Sequence, residues 1–282
     1  MSDITISLAQ MSPIPGDLDA NRETVIRFGR QAIEHRSHLI VFPELALTGY
    51  QLRERTPDLA LRGDDTFWDP LLKLSHDIAI LVGFVLEEND EYYNAAALLT
   101  EGRVAFIHRK TFLPNYGPFE EGKWFSPGKK WSCFEFGGFI LGVLICEESW
   151  HLAPAYMYYL HRVDLLCILT NSCNFGRPTD DPTSSAFACK VQNAFYARML
   201  NTYVCFTNRI GREGDLLFWG GSEVVDPLGN RLVQAPEFAE ALITASVQRQ
   251  ILKQARYATP LRRDEKLELF FNHLKWYQEK EQ

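Results

Sequence analysis

Apolar runs of five to eight residues recur from one end of the chain to the other. They are ITISLAQ (4–10), HLIVF (38–42), IAILVGFV (78–85), NAAALLT (94–100), RVAFIH (103–108), FILGVLIC (139–146), DLLCILT (164–170), YVCFT (203–207), SEVVDP (222–227) and ALITASV (241–247). Several are apolar at nearly every position, which predicts strands covered on both faces. Helical periodicity fills two of the gaps. Over 19–36, Val25, Phe28, Ala32 and Ile33 share one face, with Asp17 or Asp19 as the candidate N-cap; over 183–200, Val191, Ala194, Phe195 and Met199 do the same. TEGR (100–103) and DPLGN (226–230) read as hairpin turns. Strands, helices and hairpins in one unbroken pattern predict an α/β protein with mixed sheets. No linker, repeat or low-complexity tract interrupts it, so a single domain over 1–282 is expected, built on two stacked sheets.

With 46% hydrophobic and 13% aromatic residues, 282 residues are enough for a sizeable core. The net charge of −7, without a basic patch, argues against a nucleic-acid partner. No apolar run approaches the roughly 20 residues that cross a bilayer. The N-terminal segment alternates like a strand and shows no signal-peptide pattern, so a cytoplasmic protein with no membrane partner is expected. The six cysteines (133, 146, 167, 173, 189 and 205) have no C-x-x-C spacing and are expected to be free thiols. No pattern such as H-E-x-x-H occurs, and no metal or other cofactor is expected.

Three strand ends carry unusual chemistry. LIVFPELALTGY leaves its apolar run at Glu44, VAFIHRKTFLPNYG at Arg109 and Lys110, and FILGVLICEESW at Cys146. Taken singly, each has an ordinary reading: a solvated turn residue, a surface charge, a small core thiol. Together they suggest convergence, because ligands gather outside the carboxyl ends of strands in open α/β sheets. The two longest stretches without a pattern, 45–66 and 111–131, follow such ends and are candidate pocket walls. The chemistry is coherent. A thiol needs a base or a cation to act as a nucleophile. A buried carboxylate can be that base, and a lysine can stabilise the oxyanion formed at a carbonyl.

FPELALTGY, HRKTFLPNYGPFEEGKWFSPG and GVLICEESW, in that order, resemble the three signatures of the nitrilase (carbon–nitrogen hydrolase) superfamily. The resemblance continues through TNSCNF (170–175), ARMLNTYVCFTNRIG (197–211) and FWGGSEVVDPLGN (218–230). It implies a four-layer α-β-β-α sandwich. It also implies Glu44 as general base, Lys110 as oxyanion stabiliser and Cys146 as nucleophile. A second glutamate follows the lysine in the family; Glu121 fits its spacing, with Glu120 as the alternative. The N–H of Glu147 would complete the oxyanion hole. Tyr50, Tyr116, Trp124 and Phe175 are candidate pocket-lining residues, with ordinary aromatic packing as the other reading.

Within the superfamily, LPNYGPFEEGKWF and GVLICEESW look most like the glutaminase domain of glutamine-dependent NAD synthetases. Those enzymes also have an ATP-pyrophosphatase domain with an S-G-G-x-D-S loop, which these 282 residues do not contain. TNSCNF departs from the Asn-Ala-Ser-Pro usual in that branch, which leaves glutamine specificity open. The resemblance implies hydrolysis of a small-molecule amide through a cysteine thioester, in a homodimer or larger homo-oligomer joined through the aromatic-rich stretch 152–160. Trp150, just before it, is a candidate for the same interface. Alternatives are a glutaminase supplying ammonia to a separate synthetase-like partner, a nitrilase proper, a catalytically idle binding protein, and a thiol redox protein.

Overall fold

The computed structural model describes residues 3–174 and 178–280. The apolar runs become strands of two six-stranded mixed sheets. The first contains β1 (Ile4–Gln10), β2 (Leu39–Val41), β3 (Ala79–Glu88), β4 (Glu91–Thr100), β5 (Arg103–Arg109) and β15 (Ala241–Val247), in the order β15-β1-β2-β3-β4-β5. The second contains β6 (Cys133–Phe136), β7 (Phe139–Ile145), β8 (Leu165–Thr170), β10 (Tyr203–Asn208), β13 (Glu223–Val225) and β14 (Arg231–Gln234), in the order β14-β13-β10-β8-β7-β6. In each sheet the central strands are parallel (β1, β2 and β3; β7, β8 and β10) and the edges antiparallel. A small sheet of β9 (Cys173–Asn174), β11 (Ile210–Glu213) and β12 (Leu216–Trp219) stands apart.

Strand alternation sorts the residues into layers. Leu39, Val41, Leu81, Leu141, Val143, Ile145, Leu165 and Cys167 meet in the core between the two sheets. Ile40, Phe42, Ile80 and Val82 turn the other way, onto α1 (Leu18–Glu34) and α2 (Asp69–Leu74), through Val25, Phe28, Ala32 and Leu71. Leu144, Leu166, Ile168 and Phe206 pack on α4 (Leu152–Leu160) and α5 (Ser185–Leu200). The expected α-β-β-α sandwich is therefore the observed fold. Asp17 is the N-cap of α1, its carboxylate accepting from the Ala20 N–H. Both expected hairpin turns form, joining β4 to β5 and β13 to β14. All six cysteines are free.

The 183–200 pattern gives a correction. The helix forms, but its core face is Ala186, Cys189, Asn193, Tyr196 and Ala197, while Val191, Phe195 and Met199 are 55%, 50% and 42% exposed. Periodicity reports that an apolar face exists, not which surface covers it. Four helices had no sequence expectation: α2, α3 (Glu121–Trp124), α6 (Arg249–Ala258) and α7 (Leu267–Lys280).

Candidate active site

The carboxyl ends of β2, β5, β7 and β8 open on one side of the sandwich, because β5, antiparallel to β4, runs with β3. Glu44, Lys110, Cys146 and Asn171 follow those four ends and meet there. The Lys110 ammonium, fully buried, donates to Glu44 Oε1 at 2.7 Å and to Glu121 Oε1 at 2.8 Å. Glu121, in the single turn of α3, is buried; Glu120 beside it is exposed. Of the two glutamates, it is therefore Glu121 that reaches the lysine. Two strand ends leave through the left-handed region: Leu45, just after Glu44, has φ 49° and Cys146 has φ 45°. Such conformations cost about 1–3 kcal/mol each and cluster at functional sites.

Neighbouring groups hold this centre. Glu44 Oε1 also accepts from Asn94 Nδ2 (2.7 Å), and Oε2 accepts from the Asn171 N–H (2.8 Å). Glu121 Oε1 accepts from the Tyr50 hydroxyl (2.7 Å). Tyr50 is placed by Glu213, whose Oε2 accepts from the N–H groups of Tyr50 (3.0 Å) and Gln51 (2.8 Å) and which pairs with the buried Arg209. Glu148, two residues past Cys146, is fully buried and contacts His108 Nε2 (2.8 Å) while accepting from the N–H groups of Thr111 (2.9 Å) and Ile145 (2.7 Å). One carboxylate thus ties the end of β5, beside Lys110, to the end of β7, beside Cys146, although the strands belong to different sheets.

The electrostatics follow from burial and charge. Burial works against the Lys110 ammonium, but Glu121, Glu44 and Cys146 outweigh it and keep its pKa above the usual lysine value. Burial pushes the Glu121 carboxyl up to about 7, against the pull of Lys110. Burial, with Glu44 next, holds the Cys146 thiol well above the usual thiol range; Lys110 pulls it the other way. The sulfur is therefore a thiol until a base takes its proton.

Cys146 opens on a cavity of about 350 Å³ whose lining includes Tyr50, Tyr116, Glu147, Trp150 and Asn171. Tyr116 is 57% exposed and its hydroxyl donates to Glu147 Oε2 (2.7 Å). Trp124, expected at the pocket, lies elsewhere. It lines a neighbouring cleft with Glu120, Glu121 and Tyr50, the last shared with the Cys146 cavity, and packs on the cluster of Leu45, Leu52, Leu59, Val85 and Phe125. With Glu121 turned inward to Lys110, Trp124 is the residue of α3 that covers that cluster. Phe175 falls outside the described residues. Sequence reasoning also passed over Asn94, Asn171, His108 and the Arg209–Glu213 pair. Asn171 had a signal, since it opens the TNSCNF segment; Asn94 had none, being one polar residue in an otherwise ordinary strand. Four buried polar atoms of this centre lack a partner among the described residues: Asn94 Oδ1, Glu121 Oε2 and both side-chain heteroatoms of Asn171. Among the described residues, no group of three or more His, Cys, Asp or Glu side chains could hold a metal ion, and no helix is long and apolar enough to cross a membrane.

A sandwich with a lysine between two buried carboxylates beside a strand-end cysteine defines a class, and comparison with known families agrees. Residues 5–257 match the carbon-nitrogen hydrolase family model, and the chain belongs to that family. It is 32% identical over 262 residues to the glutamine-dependent NAD(+) synthetase of Acinetobacter baylyi, an alignment covering 91% of this chain and 46% of that protein. The chain spans about half the length of the curated relatives it matches. Among solved structures, a carbon-nitrogen hydrolase from Helicobacter pylori superposes with a TM-score of 0.86 at 20% identity, over 97% of this chain and 99% of that one. An amidase from Nesterenkonia sp. superposes with a TM-score of 0.78 at 23% identity, over 95% of each chain. At those identities the likeness is one of fold.

Proposed function

We propose that the chain hydrolyses a small-molecule amide through a thioester on Cys146, releasing ammonia or an amine and a carboxylic acid. The observation that carries this is the buried Glu44–Lys110–Glu121 bridge, at 2.7 and 2.8 Å, beside a strand-end thiol that opens on a cavity. The substrate carbonyl carbon sits over Cys146, with its oxygen toward the Lys110 ammonium and the Glu147 N–H. Glu44 takes the thiol proton as sulfur bonds to carbon, a step made necessary by the raised thiol pKa. Protonated Glu44 returns that proton to the leaving nitrogen, the C–N bond breaks, and a thioester remains. Water then loses a proton to Glu44 as its oxygen attacks. The C–S bond breaks, and the thiolate takes the proton back. Glu121 holds Lys110, and its unpartnered Oε2 accepts an N–H of the substrate amide. The Asn171 side chain contributes a donor and an acceptor to the bound acyl group. No step calls for a metal or an organic cofactor.

A second reading keeps the chemistry and specifies its use: a glutaminase that passes ammonia to a synthetase-like partner. Its support is the 32% identity to a glutamine-dependent NAD(+) synthetase. A homodimer is the proposed assembly, supported by the outward stripe of Val191, Phe195 and Met199 beside the exposed Trp150 and Leu152. The test is ammonia release from glutamine and from a panel of small aliphatic amides, wild type beside Cys146→Ala. Release abolished by the substitution is expected, and the best substrate separates the two readings. Release that survives in Cys146→Ala would overturn both.

A further inference from the structure

A second cavity, of about 320 Å³, lies away from Cys146 where α4, α5 and α6 all end. Its lining includes Tyr159, Arg162, Asn201, Arg256, Arg262 and Arg263. Four guanidinium groups around one small cavity repel one another. Burial, followed by Arg162, draws the Arg262 pKa down, Tyr159 opposes, and Arg256 lowers it further. Part of the charge is balanced. Arg256 pairs with Asp164 at 2.8 Å and donates to the Val163 carbonyl at 3.1 Å, Arg262 donates to the Leu160 carbonyl at 2.9 Å, and Arg263 pairs with Asp264 at 3.0 Å. Helix C-termini carry partial negative charge, so cations belong there. Arg162 and Arg262 nevertheless have no carboxylate partner among the described residues. The Glu265 carboxylate accepts from the Tyr156 hydroxyl and belongs to the adjoining cleft.

A buried polar group on the wall adds an independent observation. The Tyr159 side chain is 6% exposed; burial, and then the Glu265 carboxylate that its hydroxyl faces in the adjoining cleft, raise its pKa to about 12. Asn201 is 4% exposed; its Nδ2 donates to the Thr259 carbonyl (3.2 Å) while its Oδ1 has no partner. Buried polar groups are normally paired. A ligand that carries a hydrogen-bond donor beside its anionic oxygens would satisfy the Asn201 acceptor.

We infer that this cavity is a binding site for a phosphate-class oxyanion, free or carried on a small hydroxylated molecule. A phosphate near neutral pH carries about −1.5 to −2 and three acceptor oxygens. That matches two uncompensated guanidinium groups, whereas a monocarboxylate would leave one cation unbalanced.

The test titrates the full chain with inorganic phosphate and, in parallel, with ribose 5-phosphate. Ionic strength is held constant with chloride, and calorimetric Kd and Tm are the readouts. Saturable binding with a rise in Tm is expected. Arg162→Gln removes a guanidinium that makes no hydrogen bond among the described residues, so its ligand-free Tm should match wild type while Kd weakens about tenfold or more. Arg162→Lys, which keeps the charge and loses the fork, should fall between the two. Tighter binding of ribose 5-phosphate would identify a phosphorylated small molecule as the source, and equal binding would identify free phosphate. No saturable binding of either probe, or a Kd unchanged in both Arg162 variants, would overturn the inference.

Discussion

In the proposed mechanism Glu121 couples stability to reactivity. Its carboxyl, near 4.5 in a solvated chain, is raised to about 7 by burial. The native state therefore keeps a proton that the unfolded state gives up. The associated stability is present in full below about 4.5 and is lost as pH rises through about 7. Reactivity has the opposite sign, since ionised Glu121 grips Lys110. Wild-type kcat/KM should rise with unit slope toward a plateau above about pH 7. In Glu121→Gln that limb should vanish and the plateau fall by about 100-fold or more. An unchanged limb would assign the titration to another group. Glu44, Lys110 and Cys146 were legible because each interrupts an apolar run. Glu148 was visible as acid behind the thiol, but its bonds to His108, Thr111 and Ile145 join two sheets and leave no trace in sequence.

At the scale of elements, β3 passes under the strand end that carries Glu44. A Cβ on Gly83 would meet the Leu45 nitrogen, the Pro43 carbonyl oxygen at 2.5 Å and the Glu44 carbonyl carbon at 2.8 Å. Those are backbone atoms and cannot swing aside, so glycine is required for close approach, not for a turn. Gly83→Ala should cost about 1–3 kcal/mol in denaturant unfolding. It should also lower kcat, because the displaced atoms belong to Glu44 and its neighbours. Full activity in a destabilised variant would show that this contact does not position the base. The segment IAILVGFV announced a buried strand, yet nothing in it says which backbone lies against Gly83.

For the whole molecule, the outward face of α4 and α5 is the largest departure from the sequence expectation. Val191, Phe195 and Met199 were expected on a shared apolar face, and they share one, but in the monomer it points to solvent. The proposed homodimer covers it. Phe195→Glu should shift the species seen by sedimentation velocity from dimer to monomer while far-UV circular dichroism stays unchanged. A wild-type chain that sediments as a monomer at micromolar concentration would remove the proposal.

The sequence by itself determined the layers. Strand alternation and continuous apolar runs are local properties with one low-energy outcome, a sheet covered on both faces, and three interrupted strand ends marked where chemistry would gather. The tertiary structure alone decided what depends on contacts between residues far apart in the chain. It brought Glu121 rather than Glu120 to Lys110, placed Asn94 and Asn171 on Glu44, turned Trp124 away from the Cys146 cavity, and left one helix face open to solvent. A side chain's identity limits what it can bond to; only the packed fold settles which partner lies within reach.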